Sequence, residues 1–408
     1  MIRLNSKLSK WILFAFTVVI LCSCDEKSDI DTNENVSNID DTESEITYQV
    51  SSNDNSILDS MTTEEKVGQL FFIRPEQLID DSYVNDEAIV AEENEGVFSV
   101  SDQMRKMYAQ YPVGGFTLFA KNIDTPSQLS QFTSDLISIG TTDTIITVDE
   151  EGGIVTRLAQ NPAFGLPLID DMENIGSTND VTNAYAAGDT IGGYLADYNI
   201  FWNFAPDADL NTNPNNIVIG SRSFGSDPIL CSKMVRSYID GLHAHGVKST
   251  LKHFPGHGDT TDDTHSGYVS VEKTWEELKQ TEIFPFAENL DATDAVMIAH
   301  ITLPNVTSDG LPASMSHELI TGKLRDELGF DGVVICDSLA MGAVTENYAS
   351  DEAAVLAFEA GCDVLLTPQN FYEAYKGILN AVNSGEITQE RLDESVARIL
   401  EIKGNIIN

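Results

Sequence analysis

The chain has 408 residues, 23 of them basic and 65 acidic, for a formal charge of −42. A surface of that sign repels nucleic-acid phosphates and anionic membranes, which excludes a nucleic-acid partner. Length alone admits one large domain or two.

At the N-terminus, Arg3, Lys7 and Lys10 precede the apolar run Trp11–Leu21, too short for a comfortable membrane span, and the stretch reads as an export signal. It ends in Leu21-Cys22-Ser23-Cys24, which resembles a bacterial lipobox, where a small residue stands before a cysteine that is cleaved and lipidated. Cys24, behind Ser23, fits better than Cys22, behind the bulky Leu21. The alternative is an ordinary secretory signal with incidental cysteines. Residues 25–56 are acidic and poor in apolar side chains, so burial cannot offset their chain entropy, and a disordered tether is expected. The expected organisation is a lipoprotein signal peptide over 1–23, an acidic tether over 24–56 and one globular domain over 57–408. Past the lipidated Cys24 only Cys231, Cys336 and Cys362 remain, an odd count that argues against a disulfide framework.

From Ile57 short apolar runs recur at Val67–Arg74, Val113–Ala120, Thr144–Asp149, Ile200–Ala205, Val247–Lys252, Ala295–His300, Gly332–Cys336 and Cys362–Thr367. Most are continuous rather than alternating, as parallel strands covered on both faces are. Amphipathic stretches such as Thr182–Tyr198, Ser232–His245, Ser316–Leu328, Asp351–Ala360 and Ile387–Lys403 fall between them, and Gly246 and Gly361 stand where helices should stop. Eight strand–helix repeats predict an α/β fold, a (β/α)8 TIM barrel with its site at the C-terminal strand ends. A doubly wound sheet would show a glycine-rich phosphate turn, and none is found. The acidic insert Pro75–Pro112 reads as a lid or a decorated surface loop.

Charged or imidazole groups follow nearly every predicted strand: Arg74, Lys121-Asn122, Asp149-Glu150-Glu151, Pro206-Asp207, Lys252-His253, His300 and Asp337. The densest run, Lys252–His265 (KHFPGHGDTTDDTH), packs three histidines, three aspartates and two glycines into fourteen residues. So many ionisable groups cannot be buried without partners, so a loop over a polar pocket is expected. A solvated acidic turn and a metal site, since His and Asp are good ligands, are the alternatives. Such a barrel mouth suits a small polar ligand such as a sugar.

These motifs resemble glycoside hydrolase family 3, in its β-N-acetylglucosaminidase branch, from about Ile57 to Ile402. KHFPGHG with its following Asp-Thr-His is the most specific; VDEEGGIVTR, GSRSFGSD and VVICDSLAMGAV support it. The resemblance implies retaining hydrolysis, with Asp337 as nucleophile and His265 as acid/base, oriented by Asp263. A helix N-cap is the competing role for Asp337. An imidazole titrates near neutrality, and a carboxylate on one nitrogen fixes its tautomer and raises its basicity. By the same match Asp149, Arg157, Arg222, Lys252 and His253 hold the sugar. A structural role inside the loop is the alternative for His253, and His257 and His300 read as architecture that could still touch the sugar. The family needs no metal or cofactor, and no His-x-His follows the first strand. Glu150 and Ile154 stand where the family commonly has Gln and Arg, which bears on fine specificity.

The reading is a lipid-anchored, extracytoplasmic β-N-acetylhexosaminidase. It would be a monomer, touching the membrane only through lipid on Cys24, whose partner is a β-N-acetylglucosaminide saccharide from peptidoglycan or chitin. The rivals are a β-glucosidase, β-xylosidase or phosphorylase of the same family, and a sugar-binding surface lipoprotein without catalysis.

Overall fold

The structure, a computed structural model, describes residues 57–79, 96–140, 144–260 and 269–407. Cys24, the tether, Asp263 and His265 lie outside the described residues, as does the middle of the Pro75–Pro112 insert. In chain order the strands are β1 Phe71–Ile73, β2 Gly115–Leu118, β3 Ile145–Val148, β4 Trp202–Asn203, β5 Thr250–Phe254, β6 Val269–Ser270, β7 Ala295–Ile298, β8 Ile301–Thr302, β9 Val333–Cys336 and β10 Leu365–Leu366.

All pairings between these strands are parallel. One sheet runs β10-β1-β2-β3-β4, a second runs β5-β7-β9, and β6 pairs with β8 alone. Isolated parallel bridges join Trp202 to Lys248, Asp207 to Lys252 and Ile335 to Val364. The fold is thus α/β with a curled parallel sheet. Apolar side chains drive the curl: Phe72, Trp202 and Phe204 are fully buried, with ring centroids 5.4 and 6.0 Å apart in edge contacts. The Trp202 indole satisfies its N–H on Thr250 Oγ1 at 2.8 Å, so its burial leaves no donor stranded.

Each of the eight predicted apolar runs carries a strand, but the strands are shorter than the runs. The first run divides. Thr62 and Glu65 form a capping box, so Val67–Gln69 close the helix Thr63–Gln69 and only Phe71–Ile73 is extended. The helix predicted from Ser232 begins at Pro228, capped by Asp227, whose carboxylate accepts from the N–H groups of Ile229 and Leu230. Ser316–Leu328 is helical, but most of it, Ile320–Glu327, is a π-helix. Gly246 and Gly361 end helices at φ 71° and 123°, as expected. The β6–β8 pair was not foreseen, because two-residue strands leave no periodicity to read.

The two ends of the described chain are clasped. Lys66 pairs with Asp393 at 2.7 Å, and Lys403 donates to Gln69 at 2.6 Å, both from the last helix, Gln389–Ile407. Among the described residues no helix is long and apolar enough to cross a membrane.

Candidate active site

Strand ends β3, β4, β5 and β9 deliver the predicted residues. Asp149, Glu150 and Glu151 follow β3, and their side chains part to different partners. Asp149 and Glu151 both meet Lys252, whose ammonium lies 2.7 Å from Asp149 Oδ1 and 2.6 Å from Glu151 Oε1. Glu150 points away. It accepts from the Leu158 and Ala159 N–H groups at 2.9 and 3.0 Å and from the Tyr194 hydroxyl at 2.8 Å. Glu150 therefore braces the 157–159 turn.

Arg222 grips Glu151 with both arms, Nε at 2.9 Å and Nη2 at 2.8 Å. Its Nη2 also lies 3.4 Å from Asp207 Oδ2 and 3.4 Å from His253 Nε2. A guanidinium can only donate, so Nε2 is the acceptor and the His253 proton sits on Nδ1, directed at Asp209 Oδ2 at 2.8 Å. Arg157, a quarter exposed, stands 4.0 Å from Asp149 and over the Phe119 ring. One connected network thus joins all five predicted sugar-holding residues. Asp149 and Arg157 form its open side, while Lys252 is almost wholly buried.

The charges follow from this packing. Burial disfavours the Lys252 ammonium, but Asp149 and Glu151 outweigh it and hold its pKa above the ordinary value. Burial likewise opposes ionisation of Glu151, yet Arg222 and Lys252 hold its carboxyl far below the usual range. His253 is pushed down to about 4 by burial and then by Arg222, so it is a neutral ring at working pH. Asp207 is pushed up to about 7 by burial and by Asp209 beside it.

Asp207, Asp209 and His253 offer ligand atoms within 4.8 Å of one another, the kind of set a metal ion takes. Arg222 already places a positive charge among them. Asp207 instead makes a testable pH signature. Its folded pKa exceeds the ordinary 3.8, so the folded state holds a proton that the unfolded state has lost, and stability falls as pH rises through that window to about 7. Asp207→Asn should therefore raise Tm by a few degrees at about pH 8 and leave it unchanged below about pH 4. Equal shifts at both pH values in thermal melts would refute this.

Asp337 ends β9. Its N–H donates to the Ile298 carbonyl at 2.9 Å, and its Oδ1 accepts from the Ser338 N–H at 2.7 Å. It caps no helix, since the next one, Gly342–Thr345, starts from Met341. The Asp337 charge acts on His253 and His257, partly offsetting their loss of proton affinity, so it lies near both rings. His257 is loop architecture: its N–H donates to Asp209 and its Nδ1 meets Thr260 Oγ1 at 2.9 Å. Lys121 and Asn122 leave the pocket for Glu76, at 3.0 and 3.1 Å.

Sequence reasoning missed Glu151 and Asp209 as organisers. The signals were there: Glu151 stands two residues beyond Asp149, and Asp207-Ala208-Asp209 puts two carboxylates past β4.

Together these features define an α/β protein with an ion-paired polar pocket at the C-terminal ends of a curled parallel sheet. The chain belongs to glycosyl hydrolase family 3, since residues 62–402 match the model described as the Glycosyl hydrolase family 3 N terminal domain. It is similar to Beta-hexosaminidase A of Pseudoalteromonas piscicida, 33% identical over 331 residues, 74% of this chain and 55% of the relative. Beta-hexosaminidase of Tolumonas auensis is 35% identical over 269 residues, 65% of this chain and 78% of the relative. Among solved structures, a glycoside hydrolase family 3 beta-N-acetylglucosaminidase from Paenibacillus sp. str. FPU-7 superposes with a TM-score of 0.77 at 36% identity, covering 85% of this chain and 63% of that one. The chain therefore spans little more than half of the first of these relatives.

Proposed function

We propose that the protein is a retaining exo-β-N-acetylhexosaminidase. It would remove terminal, non-reducing N-acetylglucosamine from peptidoglycan- or chitin-derived saccharides through a glycosyl-enzyme on Asp337. The observation that carries this reading is the convergence of Asp149, Arg157, Arg222, Lys252 and His253 in one network, with Asp337 at the neighbouring end of β9. Asp149 accepts from sugar hydroxyls, and Arg157 and Arg222 donate. His253, neutral and with its proton on Nδ1, adds no charge beside the nucleophile. Asp337 attacks the anomeric carbon while His265, oriented by Asp263, protonates the leaving oxygen, then deprotonates the water that releases the sugar. The likeness to hexosaminidases supports the N-acetyl sugar.

The sheet is read as a closed eight-stranded barrel. Support comes from the bridges between the segments of β4 and β5 and between those of β9 and β10, which span the two seams of the paired strands. The domain follows a signal peptide and an acidic tether, with lipid on Cys24 holding the enzyme outside the cytoplasm. Mass spectrometry of the native N-terminus should find a lipidated Cys24, and an unmodified terminus elsewhere would refute the anchor.

Turnover decides the activity. An aryl N-acetyl-β-glucosaminide should be cleaved at least about 10²-fold more efficiently than the aryl β-glucoside, because polar contacts to the acetamide go unmade with glucose. Equal efficiencies would assign the chain to another branch of the family. Sugar 1-phosphate as the main product in added phosphate would make it a phosphorylase.

A further inference from the structure

We propose that His300 is a positioning residue for Asp337. Its buried imidazole holds the carbonyl of the residue that follows the nucleophile, and so sets the aim of the attacking carboxylate. The inference rests on the reading of Asp337 as nucleophile.

His300 lies between β7 and β8 and is wholly buried. An imidazole so placed is costly unless both ring nitrogens find partners. Both do: Nε2 is 3.0 Å from the Ser338 carbonyl, and Nδ1 is 2.6 Å from Ser314 Oγ. A carbonyl only accepts, so Nε2 carries the proton, and in the neutral ring the Ser314 hydroxyl donates to Nδ1. Ser314 is also fully buried and is itself tied back, its N–H donating to the Ala299 carbonyl at 3.2 Å. The tautomer and plane of the ring are therefore set by the residue next to His300 and by Ser314.

The bond to Ser338 matters because of what that peptide does. The Ser338–Leu339 unit is held at both ends, its carbonyl by His300 and its N–H by the Leu366 carbonyl at 3.0 Å. The Ser338 hydroxyl reaches Thr367 Oγ1 at 2.8 Å, and the Ser338 N–H donates to the Asp337 carboxylate. Groups from the β7 and β10 strand ends thus grip the residue that orients the nucleophile. Without the His300 anchor on its carbonyl the Ser338 backbone could turn about its Cα, and the Ser338 N–H on Asp337 Oδ1, in the preceding peptide, could shift with that Cα. Displacement of a reacting group by about 1 Å can cost about 10²-fold in rate. Sugar binding would be spared, because the Asp149–Lys252–Glu151–Arg222 network is held together by its own ion pairs.

The test follows formation of the covalent intermediate by rapid quench and intact mass, with an aryl N-acetyl-β-glucosaminide bearing a good leaving group. His300→Leu should slow adduct formation on Asp337 about 10–10²-fold while the affinity for N-acetylglucosamine stays within about twofold. His300→Gln, which can return an N–H toward the Ser338 carbonyl, should recover a substantial part of the rate. Ser314→Ala frees the ring without removing it, and should slow the same step several-fold. Should His300→Leu fail to fold, the Gln and Ala variants carry the comparison. Wild-type adduct rates in the folded variants, or a loss confined to sugar affinity, would overturn the role of His300 alone. A wild-type adduct on another residue, or none, would overturn the nucleophile assignment and this inference with it.

Discussion

Asp337→Ala should leave no measurable turnover of any substrate, good leaving group or poor, with the fold and the affinity for N-acetylglucosamine retained. The carboxylate is only half-buried at its strand end, and its strand-end hydrogen bond runs through the backbone N–H to Ile298, which alanine keeps. Without it no glycosyl-enzyme can form. His265→Ala should behave differently. With an activated phenolate leaving group it should still form the intermediate, giving a burst and then slow hydrolysis. With a poor alkoxide it should lose about 10²–10⁴-fold, the usual value of general acid help. Residual Asp337→Ala turnover within tenfold of wild type would remove Asp337 from the chemistry. Equal slowing of both leaving-group types by His265→Ala, without a burst, would remove His265 as acid/base.

Glu151→Gln should be nearly as damaging, although Glu151 need not touch the sugar. Its carboxylate is the shared partner of Arg222 and Lys252, with all three side chains largely or fully withdrawn from water. Neutralising it leaves two cations facing each other across an amide. Breaking one partner out of a buried pair typically costs about 3–5 kcal/mol. Part of that should appear as a lower Tm and part as a fall in kcat/KM of about 10² or more, because both cations lose their aim. The stabilisation has a pH signature. The Glu151 pKa is depressed in the folded state, so its contribution is complete above the ordinary 4.5 and fades as pH falls below that value. The difference in stability between wild type and Glu151→Gln should accordingly shrink in acid. A variant with unchanged kcat/KM and melting temperature would show that Arg222 and Lys252 are held by other groups.

Much of this was legible because strand ends are marked chemically as well as by hydropathy. Continuous apolar runs located all eight strands of the two larger sheets, and the polar residues closing or following three of them, Asp149, Asp207 and Lys252, located the pocket. What was not legible was direction. Asp149, Glu150 and Glu151 are three carboxylates in a row, and only the folded backbone assigns the first and third to Lys252 and the second to the turn behind it. Arg222 was expected to reach the sugar directly, yet most of its bonding capacity is spent on Glu151, Asp207 and the Val218 carbonyl. Boundaries failed where capping overrode hydropathy. The apolar run from Val67 reads as strand, but the Thr62–Glu65 box commits its first residues to helix.

The clasp between the two ends of the domain also sets the order in which the molecule can be made. β1 lies between β2 and β10, and Phe71 pairs with Leu365, close to the far end of the chain. Lys66 waits still longer for Asp393, 327 residues on. At synthesis rates of about 5–20 residues per second, Phe71–Ile73 spends about 15–60 s on the ribosome with one edge unpaired. So long a sequence separation makes loop closure a late and slow step. The nascent chain is thus an open sheet with a hydrophobic, adhesive border, and it stays in the custody of whatever binds unfolded polypeptide until its last segments emerge.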